Sequence, residues 1–374
     1  MKAHRAIEMY NFMCLHNNTN TKKRGKNMDC GYKLRPRGMV AGWEPKEYGP
    51  VLGGALGSIT SCYVMQEGDL YRMWFSWQLA NCIAYTESKD GVNWELPKLV
   101  LTPRYESDWE IHEVSHPTLV YKDGLYHMWY TGRVLPSEIT AARCCIGYAV
   151  SKDGIHWEKQ PEPVLIPQEA WENIAVMYPH VLWEEDLGCY RMWYSAGRIT
   201  DPDAIGVATS KDGINWERYT SNPVFTSNSD KYWENAKTFS CFVLPKQDEW
   251  YTMFYVGADG DGVLSIGLAR SKDGVTDWQR NPLNPVISGT DGSWDWRSAG
   301  KPSVLKVSEG YTIWYKGCNA RFEEIGIATH KGTDLGFSSV EGDAVDERGV
   351  DNGTGKINLY VREKLPMGLF PIPD

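Results

Sequence analysis

The chain has 374 residues, 42% of them hydrophobic and 23% charged, with a formal net charge of −9 at pH 7. That is a globular composition able to bury a large core. The acidic balance argues against nucleic acid or an anionic membrane as main partner, and no apolar run approaches the roughly 18 residues that cross a bilayer.

In chain order, residues 1–39 offer no readable element and no secretory apolar core, and are read as an N-terminal extension. Trp43-Glu44 followed by Pro50-Val51-Leu52 has the pattern of a closing strand, yet nothing upstream precedes it as a partner. From residue 54 onward a unit of about 60 residues repeats. Each copy opens on a short apolar strand, at 62–65, 118–121, 180–183, 242–244 and 303–305. An alternating aromatic strand follows: YRMWFS at 71–76, YHMWYT at 126–131, YRMWYS at 190–195, YTMFYV at 251–256 and YTIWYK at 311–316. A third strand carries Ile-Gly-x-Ala at Ile146, Ile205, Ile266 and Ile325.

A turn then recurs as Ser88-Lys89-Asp90-Gly91-Val92-Asn93-Trp94, and again from Ser151, Ser210 and Ser271, with serine spacings of 63, 59 and 61 residues. A worn copy, Thr329-His330-Lys331-Gly332, lies 58 residues later. Period-2 runs bounded by Gly, Asp and Asn are antiparallel strands. Four strands per unit repeated around a centre predict an all-β, five-bladed β-propeller over 40–340, with a C-terminal extension at 341–374. The segment at Trp43 is expected to supply the missing outer strand of the last blade and close the ring. Asp in the K-D-G turns is expected to cap its own turn.

Seventeen Trp and 21 Tyr against nine Phe suit such a fold and a sugar-binding cleft, since both side chains pair a flat apolar face with a polar edge. The nine cysteines are scattered, with no C-x-x-C pair, and read as free thiols in a reducing cytoplasm.

One stretch invites a different reading. His112-Glu113-Val114-Ser115-His116 is a literal H-E-x-x-H, the zinc signature of many metalloproteases. That chemistry needs both His on one helical turn, whereas this segment runs into a strand and meets Pro117 at once. On an extended strand the two Cα atoms lie about 13 Å apart, too far for one tetrahedral zinc. No metal or cofactor is expected, and His112 reads as a solvated loop residue.

In a propeller of this connectivity the starts of the inner strands, the ends of the second strands and the segments leading into each blade share one face. The inner-strand starts are Ser61, His116, Tyr178, Ser240 and Lys301. Loops after the second strands contribute Trp77, Arg133, Arg198, Asp259, Asp261, Lys316 and Arg321. The lead-in segments add Glu110, Glu113, Glu172, Glu234, Lys237, Asp295 and Arg297. Glu110, Glu172, Glu234 and Asp295 recur from blade to blade and are expected to be structural. Glu113, His116, Tyr178, Lys237, Lys301 and the pair Asp259 and Asp261 are each confined to one blade, as chemical groups would be. Arg133 and Arg198 suit two-point contacts with phosphate or carboxylate, or else pair with carboxylates of the lead-in segments.

The S-x-D-G-x-x-W turns and Y-x-M-W-Y strands resemble the five-bladed propellers of glycoside hydrolase families 43, 32 and 130, over about residues 43–337. The resemblance implies an axial funnel with acids where inner strands begin: an Asp before Pro in blades one and two, and a Glu two residues before Pro in blade three. This chain has Ser61 before Cys62, His116 before Pro117, and Met177 two residues before Pro179.

The resemblance therefore implies cleavage or transfer of a glycosidic bond, by hydrolysis or phosphorolysis, on an anionic or phosphate-assisted carbohydrate. Glu113 is the candidate acid and His116 an acid or base. Asp259 or Asp261 would be a second carboxylate. Trp77, Arg133, Tyr178, Arg198, Lys237 and Lys301 would hold substrate. A sugar-binding propeller without catalysis, and a biosynthetic lyase or isomerase reusing the funnel, are the alternatives.

Overall fold

The computed structural model describes residues 38–137, 141–198, 201–290, 292–319 and 321–339. The expected extensions therefore lie outside the described residues, apart from Gly38 and Met39, which adjoin Val40. Those residues belong to a sheet edge: the Gly38 N–H donates to Gly289 (3.2 Å), the Val40 N–H donates to Val286 (3.0 Å), and Met39 bridges Ile287.

The described chain is all β, its only helical pieces being three-residue 3-10 turns. Antiparallel meanders follow one another. The first comprises Ile59–Glu67, Leu70–Trp77, Cys82–Ser88 and Lys98–Leu101, hydrogen-bonded in that order. Glu113–Lys122, Leu125–Val134, Arg143–Ser151 and Glu158–Lys159 form the next. Then come Ala175–Glu184, Cys189–Arg198 and Asp201–Ser210, followed by Lys237–Gln247, Trp250–Ala258 and Leu264–Ser271. Ser298–Val307, Gly310–Cys318 and Glu323–Lys331 complete the series. The strand Trp43–Pro45 lies antiparallel to Glu323–Lys331, with Trp43 opposite His330.

The repeated motifs are the joints between meanders. In the K-D-G turn the Asp90 carboxylate accepts the N–H groups of Asn93 (2.7 Å) and Val92 (2.8 Å), and these bonds hold its pKa well below the usual carboxylate range. The Gly91 carbonyl accepts the indole N–H of Trp314 at 2.9 Å. Equivalent bonds run from Trp74 to Gly154 (2.7 Å), Trp129 to Gly213 (2.8 Å) and Trp193 to Gly274 (2.8 Å). Gly91 has φ +74° and a Cβ there would lie 2.8 Å from the Trp314 ring, so both conformation and space require glycine. The aromatic strand at 251–256 carries Phe254 where the others carry Trp, so it has no indole N–H to offer. The turn of the repeat that follows it is the worn copy at 329–332.

The lead-in acids are structural, as expected. Glu110 is fully buried and accepts from Tyr130 Oη (2.7 Å), Arg104 (2.5 Å) and Lys159 (2.9 Å). Glu172 takes Tyr194 Oη (2.7 Å) and Arg218 (2.7 Å), Glu234 takes Arg280 (2.8 Å), and Asp295 takes Tyr315 Oη (3.0 Å). The preceding Trp109 covers Gly132 and Gly147, where a Cβ would come within 2.5 Å of its ring. Burying these carboxylates is tolerable only because each is bonded to a cation or hydroxyl.

Candidate functional site

Four inner strands bend at the same point. His116, Tyr178, Ser240 and Lys301 have φ of 55°, 55°, 47° and 52°. At each the ladder slips, between Ser115 and Thr118, Met177 and His180, Phe239 and Phe242, and Gly300 and Ser303. The left-handed region is costly for residues with a Cβ, and a bulge re-aims the side chain it carries. Hydroxyls of the neighbouring meander hold three of these bends. The His116 N–H donates to Ser76 Oγ (2.7 Å), Tyr178 N–H to Thr131 Oγ1 (3.0 Å) and Ser240 N–H to Ser195 Oγ (2.8 Å). Val256 and Lys316 occupy the equivalent last position of the other two aromatic motifs.

The bends bring His116, Tyr178 and Lys301 into contact. Lys301 Nζ lies 2.6 Å from His116 Nε2 and 4.5 Å from the Tyr178 ring centre, and the His116 and Tyr178 rings are 4.1 Å apart. His116 Nδ1 is 2.8 Å from Ser115 Oγ. Burial, then Lys301 and Lys316, push His116 well below the usual imidazole range. A neutral ring that accepts the Lys301 proton at Nε2 carries its own hydrogen on Nδ1, facing Ser115. Burial, then Lys316 and Arg133, bring Lys301 down to about 7, with Glu323 pulling the other way.

Two ion pairs flank this trio. Glu113, 8% exposed, is bound by Arg133, which stands opposite it in the ladder. Lys316 Nζ donates to Glu323 Oε1 at 2.6 Å. Burial opposes ionisation of Glu323, but Lys316 and Lys301 outweigh it and bring its pKa below the ordinary value. Trp77, Arg133, Arg198 and Lys316 sit within strands, Leu70–Trp77, Leu125–Val134, Cys189–Arg198 and Gly310–Cys318, rather than in the loops expected; the first three lie where the strand runs past the aromatic motif, and Lys316 is the last residue of its motif.

A second group forms on the next strands. Lys237 is bound to Asp201, whose ladder partner is the exposed Arg198. Burial and Arg198 lower Lys237. The remaining candidates have local duties. Trp77 donates its indole N–H to Leu56 (2.7 Å). The buried Asp259 accepts the N–H groups of Asp261 (2.9 Å) and Val263 (3.0 Å), and so shapes its own loop, on which Asp261 is exposed. His112 is half-buried and accepts the Leu135 N–H at 3.2 Å, so it is not the solvated residue expected. With His116 turned to Lys301 and His112 to Leu135, the H-E-x-x-H residues face different partners.

His116, Tyr178 and Lys301, with Ser61, Thr118, His180 and Phe242, line a cavity of about 40 Å³, room for roughly two or three waters. The pair sequence reasoning missed is Lys316 with Glu323. The signal was present: Lys316 replaces the Ser or Thr that ends the aromatic motif in three of the repeats.

Residues 69–276 match the family described as glycosyl hydrolases family 32 N-terminal domain. The chain belongs to this family. Among its relatives, an uncharacterized protein of Mycobacterium tuberculosis (strain ATCC 25618 / H37Rv) is 30% identical over 233 residues, 58% of this chain and 74% of that protein. A β-1,2-mannobiose phosphorylase of Thermoanaerobacter sp. (strain X514) is 24% identical over 301 residues, 62% of this chain and 94% of that enzyme. Among solved structures, a thermostable family-43 glycoside hydrolase superposes with a TM-score of 0.61 at 18% identity, covering 78% of this chain and 94% of that one. The family-32 chain described here is thus a propeller of the glycoside hydrolase type. No helix among its described residues is long and apolar enough to cross a membrane.

Proposed function

We propose that this family-32 chain cleaves a glycosidic bond by phosphorolysis at the mouth above His116, Tyr178 and Lys301. The observation that carries this is the charge around the trio. Arg133, Lys301 and Lys316 gather there, while Glu113 and Glu323 are each already bound to one of the other two cations. Lys301 is left with a neutral imidazole and an aromatic face, and its lowered proton affinity reflects that imbalance. An arriving phosphate would correct it through charge-assisted hydrogen bonds.

Hydrolysis by this fold type asks for a protein acid and a second carboxylate as base or nucleophile. Here Ser61, His116 and Met177 stand where the family resemblance implies acids, and Glu113 is paired with Arg133. Phosphate supplies the nucleophile that the carboxylates do not. Its oxygen attacks the anomeric carbon, the glycosidic C–O bond breaks, and a sugar 1-phosphate forms. The relative named for β-1,2-mannobiose makes β-1,2-linked mannosides the first substrates to test. Formation of sugar 1-phosphate that depends on added phosphate tests the reading.

The absent acids also favour a second reading, a propeller that binds sugar without cleaving it. Saturable binding of mannobiose with no product in either buffer would select that one.

The finer architecture in this proposal is five blades in a closed ring over 40–340. The Trp314 bond to Gly91 and the pairing of Trp43–Pro45 with Glu323–Lys331 support closure, since each ties the last meander to the beginning of the chain. The seven cysteines among the described residues are unpaired thiols, which supports a cytoplasmic location.

A further inference from the structure

We propose that Lys301 is the proton donor to the leaving oxygen, with His116 as the residue that positions it. This rests on the glycosidic-bond reading above and adds the group that the reading lacks. The other ionisable side chains around the trio are already committed. Glu113 is paired with Arg133, and Glu323 with Lys316, whose charge together with that of Lys301 favours the Glu323 carboxylate. His116 is neutral, with Nε2 occupied by Lys301 and Nδ1 facing Ser115. Among these side chains Lys301 alone carries a proton that it can release near neutral pH.

The geometry fits the task. Lys301 and His116 both lie at left-handed bends inside inner strands, each three residues after the strand begins, so backbone at each end holds the 2.6 Å contact between them. One ammonium hydrogen is taken by His116 Nε2, and the Tyr178 ring covers another side of the group. The remaining hydrogens are left for a substrate oxygen. Phosphate bound beside Arg133 and Lys316 would raise the proton affinity of Lys301, so the donor is charged when the second substrate is present.

The step balances. A phosphate oxygen forms its bond to the anomeric carbon, and the C–O bonding pair leaves on the glycosidic oxygen. That oxygen takes a proton from the Lys301 ammonium. Lys301 is left as a neutral amine and regains its proton from solvent after the products leave.

The test compares wild type with Lys301→Met on two probes, each with inorganic phosphate: β-1,2-mannobiose, whose leaving oxygen needs a proton, and dinitrophenyl β-mannoside, whose leaving group does not. The variant should lose about 10²- to 10⁴-fold in kcat/KM on the disaccharide, the usual worth of general acid catalysis. It should lose less than tenfold on the aryl mannoside. Equal losses on both probes, or an undiminished disaccharide rate, overturn the proposal.

His116→Phe should move the alkaline limb of the kcat/KM profile to lower pH, because the neutral imidazole favours the ammonium. An unmoved limb removes His116 from the role. A readout independent of turnover is carbon-13 NMR of the reductively methylated full chain, in which the resonance missing from Lys301→Met should titrate near neutral pH. Titration in the ordinary lysine range, near ~10.4, overturns the proposal even if the variant proves inactive or fails to fold. Cleavage without phosphate dependence would refute phosphorolysis, while the leaving-group comparison would still decide on Lys301.

Discussion

Lys301→Met should stabilise the protein in a way that depends on pH. Methionine keeps an apolar stem against Tyr178 and removes the ammonium. In the folded chain burial, Lys316 and Arg133 bring Lys301 from 10.5 to about 7. Because the folded value is the lower one, the unfolded chain holds a proton between about pH 7 and 10.5 that the folded chain does not. Stability therefore rises with pH across that window, and the cost of the buried ammonium is full below it. At about 1.36 kcal/mol per unit the whole shift corresponds to roughly 4–5 kcal/mol. Lys301 is partly exposed, and with solvent screening about 1–3 kcal/mol should be realised. Urea unfolding of wild type and variant at about pH 7 and about pH 10 checks this. Lost packing is independent of pH over that range and cancels in the comparison, while the bond to His116 is part of what sets the folded proton affinity of Lys301. The variant's advantage should shrink by that amount between the two conditions. A difference between the two proteins that stays constant with pH would refute the reasoning.

Glu172→Ala would leave Arg218, Tyr194 and the N–H groups of Gln168 and Glu169 without their buried acceptor, and should cost roughly 3–5 kcal/mol in denaturant unfolding. Trp43→Ala, which empties a site packed on Phe254 and His330, should cost about 3–5 kcal/mol, a loss that a merely appended strand would not produce. Glu323→Gln should cost about 1–3 kcal/mol at neutral pH by leaving Lys316 without its carboxylate. Since Lys316 and Lys301 lower the folded pKa of Glu323, its contribution is present above the unfolded pKa and is lost as pH falls through the folded one. The gap between wild type and this variant should therefore close in acid.

Much of the fold could be read from the sequence because the repeat records the joints. Each aromatic strand with a Trp at its fourth position is bonded to a K-D-G glycine, and the turn of the repeat that follows Phe254 is the worn copy. The recurrence of Glu110, Glu172, Glu234 and Asp295 marked them as scaffold, and their buried bonds agree. The site was less legible, since periodicity tells which residues are buried but not where a bent strand aims them. His116, Tyr178 and Lys301 were placed at one mouth by counting strands. Their contact depends on left-handed bends that no residue type announces, as His, Tyr and Lys are all unusual there. Pairing was the other blind spot. Arg133 answers Glu113 across a ladder whose register extends beyond the aromatic motif, and Glu323 answers Lys316 from the following strand. The turn role of Asp259 depends on the N–H groups of its own loop, which sequence pattern does not resolve.

The central claim is phosphorolysis at the Lys301 mouth, and product analysis tests it most directly. The full chain is incubated with β-1,2-mannobiose with and without inorganic phosphate, and the products are resolved by phosphorus-31 NMR. The account predicts a sugar 1-phosphate and free mannose in equal amounts, only when phosphate is present, with the rate falling as salt screens the cationic mouth. Release of two free mannoses at the same rate in phosphate-free buffer would contradict it.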